Sequence, residues 1–234
     1  MDSPIRYELA DAVATITMDD GKANALGVGM LQALNAALDR AQQDQAVVLL
    51  TGRSGMFSGG FDLGAFKRSP DELRRMLESG ALLTQRLLSF PRPVLVACSG
   101  HAIAMGAFVL LSADVRIGVD DAAARIQVNE VQIGLTLPRF AIEVCRQRLA
   151  PAHLHHAAVT AAPHTPRQAL VAGFLDDIVP AESLASVARE RAIALTKLHA
   201  ESFTATKLRL REPTLAGLRD AIRDDVAEWS ARFG

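Results

Sequence analysis

The chain has 234 residues, half of them hydrophobic and 22% charged, so it can bury a substantial core and is too apolar for disorder. A formal net charge of -1 excludes broad attraction to nucleic acid or anionic membrane, leaving only local basic spots at 146–148 (RQR) and 208–212 (LRLRE). This length fits one large domain, or one domain with a small appendage.

Cys98 and Cys145 lack C-x-x-C spacing and read as reduced thiols of a cytosolic protein. The opening MDSPIRYELADAV has neither an apolar signal core nor the Arg/Ser-rich bias of a transit peptide. The longest apolar run, Ala102 to Leu111, is about half a membrane span. A soluble, cytoplasmic protein is expected.

Ile5 to Leu9 and Val13 to Met18 alternate like a hairpin turned near Ala10-Asp11. A polar loop, 19–27, precedes a helix carrying Leu31, Leu34, Leu38 and Ala41 on one face. Val47 to Leu50 is a buried strand, followed by a Gly/Ser loop to Leu63. Asp71 to Leu88 is a helix started by Ser69 or Pro70 and closed before Pro91. Val94 to Cys98 and Val115 to Val119 are strands flanking a short helix, Gly106 to Ser112. Strand, crossover and strand at this spacing predict a right-handed α/β arrangement with mostly parallel strands. From Ala141 onward the pattern is helical over 141–149, 151–160, 166–172, 181–198 and 214–231, broken by an extended piece, Phe174 to Val179. A boundary there separates a core, 1–178, from a helical region, 179–234. There is no internal repeat.

Arg125 to Glu130 alternates polar and apolar side chains with the period of a strand, which aims Ile126, Val128 and Glu130 inward. A carboxylate on that face is expensive to bury while ionised, so its pKa should rise toward the range of proton transfer near neutrality. Two loops offer backbone donors. Phe57 to Leu63 contains Gly59-Gly60, and Ser99 to Ala107 runs into a helix N-terminus, where free N–H groups favour negative oxygen. Each loop alone reads equally as a strand-to-helix turn. Paired with an inward carboxylate, they suggest an oxyanion hole.

These pieces, in order, resemble the crotonase superfamily, also called the enoyl-CoA hydratase/isomerase family: KANAL (22–26), FSGGFDL (57–63), SGHAIAMGA (99–107), ADVRIG (113–118), VNEVQIGL (128–135), AGFLDDIV (172–179) and TATKLRL (204–210). The resemblance implies an α/β crotonase-like spiral of ββα units with a C-terminal helical region. It further implies acyl-CoA thioester substrates, no cofactor beyond that coenzyme A, and a homotrimer or dimer of trimers. No nucleic acid or membrane partner is expected. The 1–178 core would hold the acyl-CoA site, and 179–234 would serve oligomerisation and complete that site.

Carried over by motif, the oxyanion donors are the N–H groups of Phe61 and Met105, and Glu130 is the acid/base. Gly60, Asp62, Leu63, Gly106 and Phe108 would line the substrate site. The adenine loop falls on Lys22, Ala23 and Ala25, where Lys22 reads equally as a phosphate contact or a solvated lysine. Hydratases of this family usually carry two glutamates, and the first aligns with Phe108 here. One carboxylate with Asn129 before it is similar to monofunctional 3,2-enoyl-CoA isomerases. The sequence therefore favours moving a double bond from 3-enoyl-CoA to 2-enoyl-CoA. Hydration of 2-enoyl-CoA is the alternative, and a non-catalytic acyl-CoA-binding protein is a third.

His153, His155 and His156, with His164 nearby, lack H-E-x-x-H spacing and read as a solvated helix face rather than a metal site. His101 is either pocket lining or a structural hydrogen-bond partner. Asp62 is expected to fix its own loop, and Asp114 to cap or pair locally.

Overall fold

The computed structural model describes residues 3–233, apart from the side chain of Phe66; Met1, Asp2 and Gly234 lie outside the described residues. Strands β1 (Ile5–Ala10) and β2 (Val13–Met18) form the expected hairpin, with Asp11 and Ala12 both at positive φ in its turn. Helix α1 (Val28–Gln43) leads to β3 (Val47–Thr51) and β4 (Gly55–Ser58), then α2 (Pro70–Ser89), whose Ser69 cap accepts the Glu72 N–H. The next unit is β5 (Val94–Cys98), β6 (Gly100–Ile103) and α3 (Met105–Leu111). A third follows: β7 (Val115–Val119), β8 (Ile126–Gln127) and α4 (Arg139–Arg148).

Each of these three ββα units gives its first strand to one sheet and its second to another. The main sheet runs β1-β2-β3-β5-β7-β9, where β9 is Asp177–Val179, and every pairing after the hairpin is parallel. The second sheet, β4-β6-β8, is wholly parallel. This is the spiral the resemblance implied.

Both faces of the main sheet are covered, which explains the unbroken apolar runs of β3 and β5. Val48, Leu50 and Val96 pack into the larger core with α1, α2 and α3. Val47, Leu49 and Leu95 face the opposite way, onto Leu184, Ala188 and Ala192 of α7 (Leu184–Leu195). Helices α5 (Pro151–Ala158) and α6 (Pro166–Ala172) lie between α4 and β9.

Three expectations are corrected. The stretches read as loop at 52–63 and 99–107 contain β4 and β6, two of the three strands of the second sheet. The terminal helix is also far longer than 214–231: α8 runs Ala200–Phe233, straight through Pro213. Proline forfeits one backbone bond, a cost of roughly 3 kcal/mol in a helix interior. Here the helix persists because it packs along α2 and α4, burying Leu215, Leu218, Ile222 and Trp229. Asp114 likewise pairs at long range, not locally: it accepts the Val94 N–H and meets Lys207 and Arg211 of α8.

Asp225 fastens the far end of α8. Only 2% exposed, it accepts the N–H groups of Arg139 (3.1 Å) and Phe140 (2.9 Å) at the start of α4, where Pro138 offers no side-chain cap. A cap supplied from another helix does the work of a local one. Asp225→Ala should lower stability in a urea melt by about 2 kcal/mol, since it orphans two helix donors and the Arg139 pair. Asp225→Asn, which retains an acceptor, should lose less.

Candidate active site

The second sheet positions the site. Its three parallel strands lie side by side, and each hands the chain at its C-terminal end to one candidate group. Strand β4 leads through Gly59-Gly60 to Phe61, β6 through Ala104 to Met105, and β8 through Val128-Asn129 to Glu130. Neighbouring strands are about 4.8 Å apart, so three exits on one edge converge without long side chains. Gly59, Phe61, Ala104 and Glu130 all line one cavity of about 300 Å³.

The two glycine loops are locked together. Gly60 has φ +95, and a Cβ there would stand 2.9 Å from both the Ala104 Cβ and the Ile103 carbonyl oxygen. Ala104 itself holds φ 50, ψ -122, a conformation rare for a residue with a side chain. Its N–H donates to the Gln127 carbonyl (2.8 Å) and its own carbonyl accepts from Ala107 and Phe108, which fixes the turn. Among the described residues, neither the Phe61 nor the Met105 N–H donates to a protein acceptor. Gly106, in the first turn of α3, abuts Ser58.

Glu130 is 7% exposed, and its Oε2 has no hydrogen-bond partner. Burial raises its carboxyl to about 7. The inward alternation is real, since Ile126, Val128 and Glu130 are buried while Gln127 and Asn129 are half-buried. The strand is shorter than expected, however: pairing stops at Gln127, and Glu130 instead begins a 3₁₀ turn, Val131–Ile133. Its carbonyl accepts from Ile133 and Leu135, so the backbone is held while the carboxyl stays free. The buried Asn129 Oδ1, also unpartnered, lines the same cavity.

Phe108 is buried at the cavity wall, edge-on to Phe140 at 5.8 Å, and Phe140 meets Trp229 in the same way. The Phe61 ring forms another wall. It rests on α2 at Gly80, where a Cβ would lie 2.5 Å from the ring. Gly80→Ala should push that ring toward the cavity and lower kcat/KM for long acyl chains roughly tenfold, short chains less. A chain-length series of thioesters measures it.

Asp62 behaves as a loop fixer: it accepts the Gly64 N–H (2.9 Å), and the Arg68 guanidinium at 2.7 Å holds its carboxyl below the usual range. Leu63 lines the cavity and is largely exposed. Lys22, Ala23 and Ala25 sit in a loop docked on the Gly59-Gly60 turn: Gly59 N–H donates to the Ala23 carbonyl, and Leu26 N–H to that of Gly60. Asp20 organises this loop by accepting the N–H groups of Lys22, Asn24 and Ala25. The Lys22 side chain is exposed beside it. His101 makes the structural bond, its Nδ1 accepting the Arg125 N–H at 3.2 Å. Among the described residues no three His, Cys, Asp or Glu side chains cluster to hold a metal ion.

The resemblance implied that 179–234 completes the site, but the residues of α8 that do so were not named from the sequence. Asp225, Trp229, Arg232 and Phe233 line the same cavity as Gly59, Phe61 and Glu130. A signal was present in the spacing of Leu218, Ile222, Asp225 and Trp229, which puts all four on one helical face. Among the described residues no helix is long and apolar enough to cross a membrane.

A spiral of ββα units that carries two free backbone donors and a buried carboxyl at the ends of neighbouring strands defines a class, and the relatives agree. The chain belongs to the enoyl-CoA hydratase/isomerase family, whose model matches residues 8–227. It is similar to the crystal structure of a family protein from Pseudomonas syringae, with 42% identity, 96% of this chain and 97% of that one covered, and a TM-score of 0.93. An apo enoyl-CoA isomerase structure from Mycobacterium tuberculosis gives 43% identity, coverage of 97% and 99%, and a TM-score of 0.92. A probable enoyl-CoA hydratase of Rhodobacter capsulatus is 40% identical over 121 residues, covering 51% of this chain. The match spans only about half the length of that relative, 47%.

Proposed function

We propose that the protein moves a double bond in an acyl-CoA thioester, converting a 3-enoyl-CoA to a 2-enoyl-CoA. The thioester carbonyl sits between the Phe61 and Met105 N–H groups, which take up the negative charge that develops as the enolate forms. Glu130, ionised, removes a proton from C2. The electron pair spreads over the dienolate, and the same carboxyl returns a proton at C4, ending as it began. General acid-base action of this kind contributes about 10²–10⁴-fold. The Phe61, Phe108 and Trp229 rings keep the acyl chain dry, and the loop at Lys22, Ala23 and Ala25 receives the adenine end. The reaction conserves hydrogen and oxidation state, so the proposal calls for no cofactor beyond the coenzyme A of the substrate.

The observation that carries this reading is the single free carboxyl. Phe108 presents a phenyl ring where a hydratase would place its second acid, and the other carboxylates at the cavity, Asp225 and Glu228, are engaged by Arg139. One group can take and return one proton. Adding water asks for a group to activate it and another to protonate carbon. The mycobacterial neighbour is named an isomerase in one structure and a probable hydratase in another, so the choice rests on the carboxyl and not on its name. Hydration is the second reading, favoured by the name of the Rhodobacter relative.

Purified protein should convert 3-enoyl-CoA to the conjugated thioester, with kcat/KM rising through pH 7 as Glu130 ionises. Incubated with 2-enoyl-CoA, it should leave the conjugated absorbance unchanged. Loss of that absorbance at a comparable rate would favour hydration; binding without turnover of either substrate would overturn both. We further propose a cytoplasmic homotrimer or dimer of trimers, acting without nucleic acid or membrane. Exposed Leu9 and Val171 support burial against other subunits, and light scattering tests it.

A further inference from the structure

A second cavity, about 470 Å³, lies at the N-terminal edge of the main sheet, and none of its lining residues belongs to the acyl cavity. Three cations converge there: Arg148 at the end of α4, and Lys207 and Arg211 one turn apart on α8. The one carboxylate among them is Asp114, just before β7. It takes 2.8 Å from Lys207 and 2.9 Å from Arg211.

The charges do not balance. Arg148 donates only to the carbonyls of Ala113 (2.6 Å) and Asp114 (3.3 Å), and its buried Nε donates to nothing. Neighbouring Arg116 is already matched by Asp176. The Leu87 and Leu88 carbonyls at the end of α2 accept from Lys207 and Arg211, but a helix C-terminus supplies only about half a negative charge. More than one positive charge therefore stands unmatched beside an open cavity, among the described residues. The cost is visible in the groups themselves: burial, with the neighbouring cations adding to it, lowers Lys207 to about 8 and Arg148 to about 10. Clustered buried cations persist where a counter-charge joins them. At the cavity wall, Ser202 and Thr206, both exposed, add hydroxyl donors.

We propose that this cavity is a second ligand site, remote from the acyl cavity, that takes a small doubly charged oxyanion of the phosphate or phosphomonoester class. Arg148 and Lys207 hold the oxyanion oxygens, Arg211 adds charge from behind, and the hydroxyls complete the shell.

The test is the melting temperature of the full chain at pH 7 in inorganic phosphate against chloride of equal ionic strength. A parallel arm uses glycerol phosphate, to separate free phosphate from a phosphoester. Wild type should melt about 3 °C higher when phosphate reaches tenfold its Kd. Arg148→Gln should lose that shift. Thr206→Glu, which brings its own carboxylate to the cavity, should melt higher than wild type in chloride and gain nothing from phosphate. Both variants should keep wild-type kcat/KM, because neither residue touches the acyl cavity. Equal melting of wild type in phosphate, glycerol phosphate and chloride would overturn the proposal, as would a shift that persists undiminished in both variants.

Discussion

Glu130→Gln is expected to abolish nearly all turnover and yet make the protein more stable at alkaline pH. The loss should be about 10²–10⁴-fold in kcat, because an amide neither takes nor returns the proton. The stability gain follows from the raised carboxyl. Unfolded, Glu130 ionises near 4.5; folded, it ionises near 7. Between those values the folded state holds a proton that the unfolded state has released, so stability falls as pH rises from 4.5 through 7, then levels off. By pH 8 the accumulated penalty is about 3 kcal/mol. The amide variant escapes it. Urea melts should show the variant ahead by that amount at pH 8, with the gap closing below pH 4.5. A variant that lost activity but gained no alkaline stability would separate catalysis from the buried charge.

Gly60→Ala should damage turnover and stability together. Its φ of +95 is strained for any side chain, and the new Cβ would press on Ala104 and the Ile103 carbonyl at 2.9 Å. Those atoms belong to the turn that aims the Met105 N–H, and Phe61 follows Gly60 directly. Both oxyanion donors should therefore move together. Loss of one such donor costs about 3–4 kcal/mol of transition-state stabilisation, or 10²–10³-fold in kcat. Stability should fall as well, by about 2 kcal/mol or more, since the closed β4–β6 contact has no slack. KM should change less than kcat, because a ground-state carbonyl draws less on the hole than an enolate does. Steady-state kinetics and a thermal melt read both effects.

The strong elements were legible because each advertises one period. Apolar runs such as Val47–Leu50 and Val94–Cys98 became strands of a sheet covered on both faces, and the α2 start at Ser69 and Pro70 came from capping chemistry alone. The inward aim of Glu130 was readable too, although it survives in only two paired residues plus a continuing alternation of burial. The second sheet was not legible. Two of its strands, GMFS and GHAI, are short, glycine-bearing and show no period, and they exist through pairing with each other and with IQ, the one piece whose alternation was legible. That sheet is also what brings Phe61, Met105 and Glu130 together, so the residues were nameable before their convergence was.

The first half of α8 was hidden for a different reason. Its buried positions 207, 211, 215, 218, 222, 225 and 229 follow helical spacing, but Lys207, Arg211 and Asp225 occupy three of them. A search for apolar periodicity passes over charged residues, and Pro213 discourages the reading further. Their burial is meaningful only once Asp114 and the start of α4 are seen against them.

One labelling measurement bears most directly on the claim that a lone carboxyl carries the proton from C2 to C4. In a single turnover of 3-enoyl-CoA deuterated at C2, run in ordinary water, a shielded Glu130 should deliver part of the deuterium to C4 of the 2-enoyl product. Product bearing only solvent hydrogen at C4 from the earliest times would contradict it, and would require a second group to supply that proton.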